Sequence, residues 1–125
     1  MKNDIEKLIS VVKQQAEAFL LDAREFYPFG TYINAKNEIV PVGAYLGSEY
    51  SPSLEVIDLL ERAFNDKAKK GDCIIGGIAV DVTQKVNDKS YDAIEIRFFE
   101  PDKEGYKKYF RYEIKESSVE FIETN

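Results

Sequence analysis

Residues 73–114, CIIGGIAVDVTQKVNDKSYDAIEIRFFEPDKEGYKKYFRYEI, decide the fold. Three runs rich in β-branched and aromatic side chains are separated by two short polar stretches, 87–90 and 101–105, that carry Asn, Asp, Pro and Gly. That pattern predicts three antiparallel strands joined by turns. Alternate positions in each run are apolar: Ile74, Ile78, Val80 and Val82 in the first, Ile94, Ile96 and Phe98 in the second, Phe110, Tyr112 and Ile114 in the third. Because successive side chains of a strand point to opposite faces, these residues are expected to share one core-facing side. Downstream, Val119, Phe121 and Ile122 suit a short final strand.

Upstream the period changes. Ile5, Leu8, Ile9, Val12, Ala16, Phe19, Leu20 and Ala23 recur at helical spacing and predict one amphipathic helix from Asp4 to about Phe26. Asn3 with Glu6 has the form of a capping box, and Pro28 disfavours helix at Tyr27. A second helix is expected from a Ser51 cap and Pro52 to about Lys70, burying Val56, Ile57, Leu60, Ala63 and Phe64 and stopping at Gly71. Between the helices, Phe29 to Asn34 and Ile39 to Leu46 flank a turn-like AKNE and read as a hairpin, with Pro41 marking an edge strand. The fold class is therefore α+β: one domain over residues 1–125, ordered helix, hairpin, helix, three-stranded meander, with a mainly antiparallel sheet packed by two helices.

Composition narrows the function. The 125 residues hold 23 Asp and Glu against 17 Lys and Arg, a net charge of −6, so general nucleic-acid binding is disfavoured. With no histidine, every His-dependent triad, zinc site and haem site is excluded. One cysteine, Cys73, excludes an internal disulfide, and Asp72 beside it argues against a nucleophilic thiolate. No apolar run approaches the roughly 18–20 residues that span a bilayer, and the polar start Met1 to Asp4 does not read as an export signal. The expected compartment is the cytoplasm, and no cofactor or metal motif is read.

Phe26-Tyr27-Pro28-Phe29-Gly30, Ile78-Ala79-Val80-Asp81-Val82 and Asp92-Ala93-Ile94-Glu95 together resemble a family of small, uncharacterised bacterial cytosolic proteins, which implies no chemistry for any residue. In topology the order is similar to profilin-like and roadblock-like domains, although those finish with a further helix.

Three constellations are candidate sites. Asp81 lies in an apolar strand, and by parity Glu95, Arg97, Arg111 and Glu113 are expected on its face. If Ile96 pairs with Phe110, Glu95 faces Arg111 and Asp81 lies opposite Arg97. Either Arg97 or Arg111 then holds an anionic ligand bidentately, or the face is a solvated ladder in which Glu95→Ala or Arg111→Ala costs less than about 1 kcal/mol. Second, Phe26, Tyr27, Phe29, Tyr32, Tyr45 and Tyr50 form an aromatic group read as core, partner surface or pocket. Third, Gly76 and Gly77 lack the helix and Lys-Ser or Lys-Thr pair of a phosphate loop and read as a bulge, or as room for a helix or ring crossing the sheet.

The function expected from these readings is a non-catalytic protein-binding domain, with a toxin-immunity or regulatory role as one form of it. The alternative is a small-molecule binder or a His-free enzyme using carboxylate, Tyr and Arg groups. Ala93, Phe99 and Tyr109, extended by Ile75 and Ala79, form an apolar outer face that either the first helix or a second copy of the chain is expected to cover.

Overall fold

The apolar stripe of the first 23 residues needs a surface to bury against, and the sheet supplies it. In the computed structural model, which describes residues 2–26, 28–42, 53–101 and 103–124, α1 runs Lys2–Ala23. Asn3 already lies inside the first turn rather than capping it, and its side chain is outside the described set. At the other end the Arg24 N–H donates to the Leu20 carbonyl at 2.8 Å, and Arg24 then turns left-handed at φ 63°. The helix thus stops at Ala23, short of Phe26. An arginine in this conformation is uncommon, so composition carries no sign of the stop. Phe26 instead folds under the helix, its ring edge-on to Phe29 at 5.5 Å.

Helix α2 spans Ser53–Lys69, with its expected cap residues Ser51 and Pro52 outside the described residues. Its end is a Schellman closure: Gly71 at φ 76° donates to the Ala68 carbonyl and Asp72 to that of Lys67. Lys67 and Lys69 in the last turn complement the helix dipole.

The six strands are β1 (Phe29–Asn34), β2 (Ile39–Val42), β3 (Cys73–Val86), β4 (Lys89–Phe99), β5 (Tyr106–Ile114) and β6 (Val119–Thr124). They form one antiparallel sheet in the order β2-β1-β3-β4-β5-β6, so the fold is α+β and four strands follow α2. Pro41 sits exposed in the edge strand β2; the expected continuation of that strand to Leu46 falls on residues 43–50, outside the described residues. The β1–β2 turn is held by the Asn34 side-chain oxygen, which accepts the N–H groups of Lys36 and Glu38 at 3.0 and 2.9 Å. Asn87 and Asp88, both at positive φ, make the tight two-residue β3–β4 turn.

The helices lie on opposite faces. Leu8, Val12, Ala16 and Leu20 of α1 bury against Ile33, Ile75, Ala79, Ile94, Ile96, Phe98 and Phe110. Val56, Ile57, Leu60 and Phe64 of α2 bury against Tyr32, Cys73, Ile78 and Val80. Two polar ties position α1: the Thr31 hydroxyl, fully buried, donates to Gln15 Oε1 at 2.6 Å, and Glu17 accepts the Val119 N–H at 2.8 Å.

Glycines let both helices press close. A Cβ on Gly30 would lie 2.7 Å from the tip of the Phe64 ring, and one on Gly77 would lie 3.3 Å from Leu8. The glycine pair is therefore room for crossing side chains, with Phe64 over Gly76 and Leu8 over Gly77. A register shift nearby leaves Ile74 unpaired and turns Cys73 toward α2.

This arrangement corrects the expected faces. Val80 pairs with Glu95 and Asp81 with Ile94, so Ile78, Val80 and Val82 lie on the α2 side while Ile94, Ile96 and Phe98 lie under α1. β3 is covered on both sides, and with Ile75 and Ala79 as apolar as Ile78 and Val80 its alternation has no readable phase. The expected apolar outer face is divided for the same reason: Ile75 and Ala79 are under α1, whereas Phe99 meets Phe64 of α2 at 5.7 Å. Among the described residues no helix is long and apolar enough to cross a membrane.

Candidate functional site

On the α2 side of the sheet, α2 rests on β3 and β1, and among the described residues no helix lies over β5 and β6. Strand parity places Tyr91, Ala93, Glu95 and Arg97 of β4 on this open half, beside Lys107, Tyr109, Arg111 and Glu113 of β5 and Glu120 and Ile122 of β6. The β4–β5 register pairs Ile96 with Lys108, Glu95 with Tyr109 and Ala93 with Arg111. It is offset by two residues from the expected Ile96–Phe110 pairing, so the faces are preserved and the partners change.

Glu95 is buried at 7% exposure and has both oxygens engaged. Oε1 accepts Arg97 Nε at 2.6 Å and Oε2 accepts the Tyr109 hydroxyl at 2.8 Å. Arg97 also donates through Nη1 to Glu61 Oε1 of α2 at 3.1 Å. Burial pushes the Glu95 carboxyl up, but the bonds from Arg97 and Tyr109 and the Arg97 charge outweigh it and hold the group below its ordinary range. The solvated-ladder reading thus fails for Glu95, and Arg97 is committed to two carboxylates of its own chain. The shallow cleft beside it, about 210 Å³, is bounded by this same Glu61–Arg97 pair and by Lys107.

Arg111 is different. Its guanidinium lies 4.1 Å from the centroid of the Tyr91 ring, its Nε is buried without a hydrogen-bond partner, and it makes no ion pair among the described residues. The stack holds the planar fork in place while leaving it without a carboxylate among the described residues. Ile122, paired with Arg111 across β5 and β6, is 48% exposed beside it.

The other expected site residues lie elsewhere. Asp81 faces α1, where it accepts the Tyr112 hydroxyl at 2.7 Å and the backbone N–H of Phe26. Burial raises its pKa above the ordinary value despite these two bonds, and the charges of Asp92 and Glu25 add to the rise. Asp81 therefore tethers the chain leaving α1 to the sheet and has no contact with Arg97. Tyr32 is 5% exposed beneath α2, edge-on to Phe64 at 6.0 Å and under Lys67 Nζ at 5.1 Å. Of the expected aromatic group, Phe26 and Phe29 are buried in the core on the α1 side and Tyr32 in the core on the α2 side, while Tyr27, Tyr45 and Tyr50 lie outside the described residues. Cys73 is buried, and burial with the Asp72 charge pushes its thiol up to about 11. Among the described residues no group of three acids or cysteines converges closely enough to hold a metal ion.

Tyr91, Tyr109 and Glu61 are site members that the sequence reading does not include, Tyr109 being read there only as part of the apolar outer face. Tyr91 shares parity with Glu95 and Arg97 and was findable from the sequence. Glu61 reaches Arg97 from a helix 36 positions away, and no local pattern announces that contact.

Glu95 and Asp81 respond to acid in opposite senses. Glu95, with a depressed folded pKa, contributes stability that is complete above its ordinary value of 4.5 and is lost as pH falls through the lower folded value. Asp81, with a raised folded pKa, carries a penalty that is absent below its ordinary value of 3.8 and develops as pH rises through the folded value. Denaturant titrations from about pH 7 to about pH 3 should show Glu95→Gln costing about 2 kcal/mol at the upper end, with the deficit narrowing on acidification. Asp81→Asn should be at its best relative to wild type near pH 7 and lose that advantage in acid. Parallel profiles for the two variants would refute these assignments.

No protein-family model, curated protein or solved structure matches the chain.

Proposed function

We propose that the chain is a non-catalytic protein-binding domain that docks its partner on the open half of the sheet, centred on Arg111 and Tyr91. The observation that carries this reading is an arginine fixed by stacking on a tyrosine, shielded at Nε and supplied with no carboxylate among the described residues. Arg and Tyr are the residue types that dominate binding energy at protein interfaces, and Ile122 provides apolar area next to them. The partner offers an Asp or Glu to Arg111. At longer range the net charge of −6 favours a surface that is basic overall, as on a toxin inhibited by an immunity protein or on a regulatory target. A small-molecule role finds its support under α1, on the other side of the sheet.

Affinity capture with wild type, Arg111→Glu, Tyr91→Ala and the distant control Lys36→Glu tests the proposal. A partner held by wild type and Lys36→Glu should be lost, by about tenfold or more in affinity, with Arg111→Glu and Tyr91→Ala. Equal binding by all four would overturn it. Sedimentation of the isolated chain separates a foreign partner from a second copy.

A further inference from the structure

We propose that the groove between the N-terminal half of α1 and strands β5 and β6 binds a free amphiphilic carboxylate, its head held by Lys13 and its tail lying against Ile5, Ile9 and Phe110. The groove has a volume of about 470 Å³, within the range of small-molecule sites. Ile5, Ile9 and Lys13 follow one another at four-residue intervals, so one line along α1 runs from apolar to cationic. Phe110 and Lys108 repeat that pairing on the opposite wall, two residues apart on the side of β5 that faces α1.

Lys13 carries the argument. Its ammonium lies 4.1 Å from the Phe110 ring centroid and 5.9 Å from that of Phe121. Among the described residues it has no carboxylate at ion-pair distance, and Glu123 acts on it only at longer range. Desolvation pulls its pKa below the ordinary lysine value and outweighs the opposing charge of Glu123, as for a cation partly stripped of water whose nearest carboxylate among the described residues is beyond ion-pair distance. An arriving carboxylate supplies that charge. Lys108, by contrast, already meets Glu123 at 4.0 Å.

The remaining lining selects among anions. Glu6 and Glu123 border the groove with Lys13 and Lys108, so its net charge is near zero. A polyanion such as a nucleoside diphosphate would meet both glutamates, whereas a single carboxylate on an apolar body satisfies Lys13 and fills the space beside Ile5, Ile9 and Phe110. This site is on the face opposite Arg111 and stands or falls separately from the protein-docking surface.

Titration with octanoate and with octan-1-ol, followed through the Ile5 and Ile9 methyl resonances, tests the inference. Octanoate should bind saturably and about tenfold more tightly than the alcohol. Lys13→Met should weaken octanoate about tenfold while leaving the alcohol unchanged, which also shows that the variant is folded, and Lys13→Arg should retain octanoate binding. Equal affinities for octanoate and octan-1-ol, undiminished octanoate binding by Lys13→Met, or no saturable shift up to about 10 mM octanoate would each overturn it.

Discussion

Replacing Phe64 with alanine is expected to cost about 3–5 kcal/mol, among the largest losses available to any single change in this chain. The ring is fully buried and joins α2 to the sheet through Tyr32 at 6.0 Å and Phe99 at 5.7 Å. Beneath it lie Gly30 and Gly76, which have no side chains to move into the space it would vacate. The cavity therefore stays open, and the loss approaches the upper end of the range. The same geometry predicts a coupling. Gly30→Ala alone should cost about 1–3 kcal/mol, because the new methyl meets the ring tip at 2.7 Å, but in a Phe64→Ala background most of that cost should vanish. Urea denaturation of the four proteins closes the cycle. A Phe64→Ala cost under about 1 kcal/mol, or a Gly30→Ala cost that is the same in both backgrounds, would refute the packing described for α2.

Replacing Ile96 with alanine should cost about 2–5 kcal/mol. Ile96 is fully buried in β4 under α1, paired with Ala79, and its Cγ2 lies 3.2 Å from where a Cβ on Gly77 would be. Gly77→Ala should accordingly be better tolerated in the Ile96→Ala protein than in wild type, since part of the clash is removed. The comparison that gives this meaning is Ile122→Ala, a β6 residue that is 48% exposed. That change should alter stability by no more than about 0.5 kcal/mol while weakening partner binding. Comparable stability losses at positions 96 and 122 would mean that the open half of the sheet is a buried core, and the proposed binding surface would be lost with it.

Legibility in the sequence followed the strength of each local signal. The stripe of α1 is strong because one face is buried and the other wet, and the stop of α2 at Gly71 is strong because glycine takes the left-handed position. The end of α1 was missed because Arg24 takes that position instead. Among the strands, β4 and β5 alternate cleanly and their faces were readable; β3, apolar on both faces, offered no phase, and the error transferred Asp81 to the wrong side. Arg111 was recognisable as a candidate from its place among alternating charges. Its distinction from Arg97 was not, because it depends on Glu61 arriving from α2 and on a two-residue offset between β4 and β5. Lys13 gave no signal either: on a helical wheel it borders the apolar stripe as many snorkelling lysines do, and only the rings of β5 and β6 set it apart.

Hydroxyl-radical footprinting of the chain, free and bound to a captured partner, tests the proposed docking surface most directly because it reads side-chain exposure residue by residue. Tyr91 and Ile122 should be oxidised in the free chain and protected in the complex. Phe19 and Leu21, exposed on α1 at 47% and 39%, should react equally in both. Protection of Phe19 and Leu21 with Tyr91 and Ile122 unchanged would contradict the account and move the interface to the helix.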